Sequence, residues 1–141
     1  MKPRLKLYIP LAIEAIATTL TVEENGQRTN KVDERYDGYA ASLGAAIITS
    51  GITPAIAFYT DLYRSSESGV RRFHILKIIT AILAADGVTI ANNNNSITDK
   101  NALLYHVLVA ANQTSGFKEK LLDATIAVKL ALRNFNHVKT S

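Results

Sequence analysis

Apolar residues in the first fifty positions recur at three- and four-residue steps, the spacing that places side chains on one face of an α-helix. A first helix is predicted from about Leu5 to Leu20 and a second from about Lys31 to Ser50. Their apolar faces consist of Ile9, Ile13, Ile16 and Leu20 in the first helix, and of Val32, Tyr36, Tyr39, Leu43 and Ile47 in the second. The polar stretch 23–30 between them is predicted to form a turn.

A run without any charged residue extends from Gly38 to Thr60 and is long enough to span a bilayer. The sequence Gly51-Ile52-Thr53-Pro54 divides it into two pieces that are each too short to cross. A glycine here is typical of a helix C-terminus, and Thr53 before a proline is typical of a helix N-cap. We therefore interpret the run as two buried helices and not as a membrane span, with a third helix that ends near Arg64.

The second half of the chain contains patterns for three more helices. Ser65–Gly69 is predicted to be a connector, Asp86-Gly87 a helix end, and the residues through Ile97 a loop with room for a short extended piece. The fourth helix is predicted over Val70–Ala85 and, because it is mostly apolar, is expected to be central. The fifth helix is predicted from its cap at Thr98 and Asp99 to about Asn112. The sixth helix is predicted to be capped by Ser115 and to extend from about Phe117 to Val138. Six helices with mostly short connections predict a compact all-α bundle, a single domain over residues 1–141.

Composition agrees with a folded helical domain and limits the chemistry. The 141 residues are 48% hydrophobic, and the apolar residues are mainly Ala, Ile and Leu, which suits close helix packing. Because cysteine is absent, disulfides and thiolate sites are excluded, and a reducing cytoplasm is the expected compartment. The formal net charge of +4 permits attraction to a polyanion without requiring it. The basic, then apolar, N-terminus is similar to a secretory signal, but Pro10 and Glu14 interrupt its apolar run.

No arrangement of side chains indicates a metal centre or a catalytic site. None of His74, His106 and His137 has the helical spacing of metal ligands to another histidine or to a preceding glutamate. A nucleophile elbow, a phosphate-binding loop and a dinucleotide fingerprint are also absent from the sequence. We therefore expect no enzyme, no cofactor and no metal ion.

One pair of carboxylates has the spacing of a possible cation site. Asp33 and Asp37 lie one helical turn apart in the predicted second helix and could bind a divalent cation together. Lys31 and Arg35 are close enough in sequence to neutralise them. This favours a solvated, salt-bridged helix face over a metal site.

Two groups of basic residues are candidates for binding a nucleic-acid backbone. Arg71 and Arg72 are predicted in the first turn of the fourth helix, where a phosphate would meet free backbone N–H groups, serine hydroxyls and two guanidinium groups. Exposed arginines at helix starts are also common, so an ordinary surface is the alternative. Lys77, on the same helix, belongs to the candidate set for RNA binding as well.

The second group is on the predicted sixth helix. At 100° per residue, Lys118, Lys129 and Arg133 fall within roughly 60° of one another. The adjacent core stripe is predicted to comprise Phe117, Leu121, Val128, Leu132 and Phe135. A basic ridge of this kind fits a nucleic-acid backbone and an ordinary solvated face equally well. Since few aromatic residues lie near these positions, any RNA contact is expected to be electrostatic and independent of base sequence.

The segment Gly38–Tyr59 resembles the signature of the small subunit of type III-B (Cmr) CRISPR effector complexes. In that family a helix of small residues precedes a polar-Gly-apolar turn, here Thr49-Ser50-Gly51-Ile52. A helix that reads apolar-Ala-Phe-aromatic follows, here Ala55-Ile56-Ala57-Phe58-Tyr59. The stretches Phe73–Ile79 and Leu130–Phe135 are similar to later helices of the family.

The resemblance implies a non-catalytic subunit in antiviral defence. Copies of such a subunit stack as the inner filament of a ribonucleoprotein, beside backbone subunits that hold the guide RNA and carry out cleavage. The implied partners are other Cmr subunits, further copies of this chain, guide RNA and target RNA. Two alternatives stay open from the residues alone, namely a helical protein–protein adaptor without nucleic-acid binding and a small helical enzyme or metalloprotein.

Overall fold

The computed structural model describes residues 2–61, 67–88 and 100–140, and its elements are mostly helical. The helices are α1 (Pro3–Thr19), α2 (Arg35–Ser50), α3 (Ile52–Asp61), α4 (Glu67–Ala85), α5 (Lys100–Gln113) and α6 (Phe117–Leu132). The strands are β1 (Glu23–Glu24), β2 (Gln27–Arg28), β3 (Lys31–Asp33) and β4 (Asn136–Val138). The prediction of a compact all-α fold built on six helices is confirmed, with short strands in addition.

Helix α4 occupies the centre of the hydrophobic core, as its sequence predicted. It packs against α1, α2, α3 and α6. Its buried side chains are Phe73, Ile75, Leu76, Ile78, Ile79, Ile82 and Leu83. Burial on most sides explains why this helix has no single apolar face in the sequence.

The C-terminus of α4 has the hydrogen bonds of a Schellman motif. The N–H of Val88 donates to the carbonyl of Leu83, and the N–H of Gly87 donates to the carbonyl of Ala84. Gly87 has φ of 82°, a left-handed conformation that glycine adopts at little cost. The predicted helix end at Asp86-Gly87 is therefore confirmed.

Helices α1 and α6 form the most extensive helix pair of the fold. The buried residues of α1 are Tyr8, Ala12 and Ile16. Of the predicted face, Ile16 and Leu20 are buried, whereas Ile9 and Ile13 are only partly buried because Tyr8 and Ala12, one position earlier, face the core. On α6, the predicted stripe Phe117, Leu121, Val128 and Leu132 is buried, and Phe135 packs against it from beyond the helix. Small buried residues, Ala12 on α1 and Ala124, Ala127 and Ala131 on α6, allow a close approach of the two helices.

Two predicted helix ends are wrong for one shared reason. Helix α2 begins at Arg35 and not at Lys31, and α6 ends at Leu132 and not at Val138. The segments 31–33 and 136–138 pair instead as the parallel strands β3 and β4. The pairs are Lys31 with Asn136, Val32 with His137, and Asp33 with Val138. Strand pairing between distant segments has overridden the local helical spacing.

Three further boundaries differ from the predictions. Helix α3 begins at Ile52, directly after Gly51 (φ 93°), so Thr53 is a helical residue and not the N-cap. The N-cap of α6 is Gly116 in a left-handed conformation and not Ser115. Helix α4 begins at Glu67, inside the predicted connector, and is therefore about one turn longer than its apolar pattern predicted.

The predicted loop through Ile97, the caps Thr98 and Asp99 and the predicted end near Arg64 lie outside the described residues. The uncharged run 38–60 is divided into α2 and α3, as predicted. No helix among the described residues combines the length and the apolarity needed to cross a membrane.

Candidate nucleic-acid interface

Arg71 is held inside the fold by a carboxylate from β3. Its Nε atom lies 3.7 Å from Oδ2 of Asp33, and its side chain is only 13% exposed. Because α4 begins at Glu67, Arg71 and Arg72 occupy its fifth and sixth positions. The prediction that they lie in the first turn, beside free backbone N–H groups, is therefore wrong.

The carboxylate of Asp33 is buried and fully engaged. Its Oδ1 accepts hydrogen bonds from the backbone N–H (2.8 Å) and Nε (2.9 Å) of Arg35. Its Oδ2 accepts from Nη2 of Arg35 (2.6 Å) and from the hydroxyl of Thr140. These bonds, above all those from Arg35, hold the pKa of Asp33 well below its usual range. The predicted salt bridge between Asp33 and Arg35 is present. The predicted solvated helix face with Asp37 is wrong, since Asp33 is a buried residue of β3.

This cluster also fastens the end of the chain. Nη2 of Arg35 donates to the backbone carbonyl of Thr140 at 2.9 Å. The N–H of Glu34 donates to the carbonyl of Val138 at 2.9 Å, which extends the strand pairing. No group of three metal-ligating side chains occurs among the residues that the structure describes. The cluster therefore has the chemistry of a structural ion network.

Arg72 stacks on two tyrosines. Its guanidinium carbon lies 4.7 Å from the ring centroid of Tyr39 and 5.9 Å from that of Tyr59. The hydroxyl of Tyr59 donates to the backbone carbonyl of Tyr39 at 2.6 Å, which fixes the second ring against α2. Sequence reasoning missed this cation–π site because its rings come from α2 and α3. The expectation of few aromatic residues near the basic candidates is wrong at Arg72.

Lys77 is exposed beside a groove between α1 and α4. The groove has a volume of about 380 Å³. It is lined by Ala15, Thr18, Thr19 and Leu20 at the end of α1, and by His74, Lys77, Ile78 and Ala81 of α4. Among the described residues, Lys77 forms no ion pair.

His74 is half-buried in the same groove. Its Nδ1 lies 3.3 Å from the hydroxyl of Tyr36. Burial first, and then the positive charges of Lys77 and Arg71, lower its pKa below the ordinary histidine value. His74 is therefore neutral at pH 7, and the positive charge beside the groove comes from Lys77 and Arg71.

The α6 ridge, defined as Lys118, Lys129 and Arg133, lies beside the buried stripe of that helix. Lys118 and Arg133 are exposed and Lys129 is half-exposed. At 1.5 Å per residue the ridge extends over roughly 22 Å. Within the described part of the chain, no carboxylate pairs with any of its three cations. Lys129 is also in the last turn of α6, where the helix dipole favours a cation.

The six candidate residues thus fall into two groups on two helices that pack against each other, α4 and α6. Arg71 is engaged with Asp33 and Arg72 with two tyrosines. The other four cations reach solvent: Lys77, Lys118, Lys129 and Arg133. Contact of any of the six with RNA stays a prediction.

Comparison with protein-family models gives one match. Residues 12–129 match the family model described as CRISPR-associated protein (Cas_Cmr5). The matched range includes the segments 38–59 and 73–79 and ends before the third similar segment, 130–135. The resemblance to the family is confirmed. No curated protein and no solved structure matches the chain.

Proposed function

Because this chain belongs to the Cas_Cmr5 family of CRISPR-associated proteins, we propose that it is a non-catalytic subunit that holds RNA through contacts with the phosphate backbone. Family membership makes it a small subunit of a type III-B (Cmr) CRISPR complex, associated with other Cmr subunits in defence. The finer proposal is that copies of the chain stack as a filament in the cytoplasm, next to the paired guide and target RNA.

The α6 ridge is the observation that carries the RNA-binding proposal. Its three cations have no protein carboxylate to neutralise them among the described residues, so their charge is available to a ligand. A phosphate backbone is a polyanion of regular spacing, and a ridge of roughly 22 Å can meet several phosphates. The ridge offers no set of side chains for reading base edges, which supports binding that is independent of sequence.

Repetition would make such contacts effective. A single chain with a few phosphate contacts is expected to bind RNA with a Kd on the order of 10⁻⁴ to 10⁻⁶ M at physiological salt. Several copies fixed along one RNA would bind together much more tightly, because each further contact becomes intramolecular.

The salt dependence of RNA binding tests this proposal. The triple variant Lys118→Gln, Lys129→Gln, Arg133→Gln is compared with a control of equal charge, Lys6→Gln, Lys120→Gln, Lys139→Gln. Fluorescence anisotropy with single-stranded RNA should give a log–log salt slope that is shallower by about 2 in the ridge variant, about 0.7 for each lost contact. The control should keep the slope of the unmodified chain.

Two outcomes would contradict the proposal. Equal losses in both triple variants would mean that net charge alone attracts RNA. No loss in the ridge variant, in the isolated chain and in the reconstituted complex, would make the ridge an ordinary surface.

A protein–protein adaptor is the second candidate function, and two exposed apolar residues favour it. Ile48 on α2 is 67% exposed and Phe58 on α3 is 57% exposed. Exposed large apolar side chains are candidates for burial against a partner. If the adaptor role is primary, Ile48→Ser and Phe58→Ser will prevent assembly with the other subunits, while the ridge variant assembles and binds target RNA normally.

A further inference from the structure

The groove between α1 and α4 is lined by both apolar and polar residues. Leu20, Ile78 and Ala81 supply apolar surface, and the ammonium group of Lys77 supplies a positive charge. A volume of about 380 Å³ is at the small end of the range for ligand sites. It is the size for one small planar group with its substituents and is too small for a helix.

Lys77 supplies this groove with a positive charge that has no ion-pair partner among the described residues. Arg71 and Lys77 both act on His74, which lies between them on α4. The carboxylates that follow the end of α1 are engaged elsewhere, Glu23 with Arg28 at 3.3 Å and Glu24 with Lys31 at 3.0 Å. A ligand that brings a negative charge to Lys77 would therefore meet no competing protein carboxylate among the ion pairs described.

Hydrogen-bonding groups line the same groove. The hydroxyls of Thr18 and Thr19 donate to backbone carbonyls of α1, so each oxygen keeps lone pairs that can accept from a ligand. When the Tyr36 hydroxyl donates to Nδ1 of His74, the proton of the neutral ring is on Nε2, which then acts as a donor. No hydrogen bond to this Nε2 occurs within the described residues. The groove thus offers acceptors, a donor and apolar side chains.

We propose that this groove receives the base of one unpaired RNA nucleotide, whose phosphate contacts Lys77. A nucleobase has apolar faces and a polar edge with donors and acceptors, and its phosphate supplies the anion. This inference rests on the proposed RNA-binding function and adds a base contact that the α6 ridge does not provide. Since one lysine and a few hydroxyls prescribe no base, the groove holds a base without selecting its identity.

The test compares two probes and two filled positions. The probes are a short fluorescent oligouridylate and an oligonucleotide of the same length with an abasic backbone. Ala81→Phe fills the groove without changing charge, and Ala45→Phe, at an exposed position of α2, adds the same ring elsewhere. Because Ala81 is exposed, both variants should fold, and circular dichroism checks this.

The base contact predicts a specific pattern of anisotropy at about 50 mM salt. Ala81→Phe should weaken oligouridylate binding by roughly fivefold or more, the lower end for loss of one base contact, and leave the abasic probe unaffected. Ala45→Phe should change neither. Lys77→Gln should weaken both probes by the same factor, relative to Lys6→Gln as the charge control. In addition, the imidazole signals of His74 should shift on titration with uridine monophosphate, and those of His106 and His137 should not.

Any one of five results would overturn the inference. The two probes could bind equally in all variants, or Ala81→Phe and Ala45→Phe could have the same effect on oligouridylate. Ala81→Phe could also impair assembly with the other Cmr subunits while RNA binding persists, which would make the groove a protein-docking site. Loss of binding in the α6 ridge variant together with a silent Ala81→Phe would refute the groove alone. If neither variant affects RNA binding, both proposals fail.

Discussion

Arg71 and Lys77 are basic residues of the same helix, fewer than two turns apart, and the fold uses them in opposite ways. Arg71 is 13% exposed and lies 3.7 Å from the buried carboxylate of Asp33. Lys77 is exposed beside a groove and has no ion pair among the described residues. The first charge contributes to holding the fold together, and the second is available to a ligand.

The difference arises from a segment far away in sequence. The residues of β3 are not part of helix α2 but pair with β4, and this pairing places Asp33 near Arg71. The same pairing brings Thr140, near the end of the chain, next to Arg35 and the Asp33 carboxylate. No carboxylate of the described residues pairs with Lys77. Whether a basic residue can bind a ligand thus depends on whether a carboxylate of the protein already pairs with it. Four predictions sharpen this comparison, and they are ordered from the largest expected effect to the smallest.

Asp33→Asn should have the largest effect on stability. The substitution removes the negative charge that accepts hydrogen bonds from Arg35 and Thr140 and pairs with Arg71. The asparagine amide group cannot replace all of these acceptor interactions. We expect the free energy of unfolding to fall by about 2–3 kcal/mol in urea denaturation. Asp37→Asn, in the first turn of α2, is the control and should cost about 0.5 kcal/mol. Equal effects of the two would refute the structural role of Asp33.

Arg71→Gln and Lys77→Gln test the comparison directly. Because Arg71 is mostly buried and ion-paired, its substitution should lower the free energy of unfolding by about 1–2 kcal/mol. Lys77→Gln should change it by less than about 0.5 kcal/mol. RNA affinity should respond in the opposite order, with the greater loss at Lys77. The reverse pattern, stability lost at Lys77 and RNA affinity at Arg71, would contradict the assignment of the two residues.

The pH dependence of stability should contain a contribution from His74. Its pKa is lowered in the folded protein, so the unfolded chain takes up the proton first as the pH falls below the ordinary value of 6.5. Proton uptake favours unfolding, and stability should therefore decrease as the pH falls from 7 through this range. His74→Gln should show a shallower decrease in urea midpoints measured across this range. An unchanged slope would mean that His74 is as accessible to protons in the folded state as in the unfolded one.

Lys129→Gln should have small effects on both stability and RNA binding, since it removes one dipole interaction and one phosphate contact. Loss of the favourable interaction with the α6 dipole is expected to cost only about 0.3–1 kcal/mol. RNA binding should show a salt slope shallower by about 0.7, the effect of one phosphate contact. Lys120→Gln, on the same helix but off the ridge, is the control. A larger slope change in the control than in Lys129→Gln would place the RNA contact on another face of α6.

The helices were predictable because their determinants are local. Periodic apolar residues gave α1, α2 and α6, and a glycine turn separated α2 from α3. Val32 fits the helical period of α2, yet it belongs to β3, because its strand partner comes from 136–138. The spacing of residues within either segment cannot predict that 31–33 pairs with 136–138.

The candidate site was predictable only in part, for the same reason. The spacing on α6 correctly placed Lys118 and Lys129 beside the buried stripe, since spacing within one helix is a local property. The partners of Arg71 and Arg72 come from β3, α2 and α3, and the groove beside Lys77 needs α1 against α4. The sequence identifies which residues are positively charged, but tertiary contacts decide which of these charges are free to bind a ligand.

The parallel pairing of β3 with β4 has a mechanical consequence. If the chain is stretched from its two ends, tension enters β3 at its N-terminal end and β4 at its C-terminal end. For parallel strands this geometry is shear, in which the inter-strand bonds bear the load together and do not open one by one. Everything from α2 to α6 lies within the loop that the two strands close. Because α1 precedes β3 and packs on α4 and α6, it must detach first. We therefore expect that, in an optical-tweezers experiment, the helices α2 to α6 are shielded from tension after α1 has detached and until β3 separates from β4.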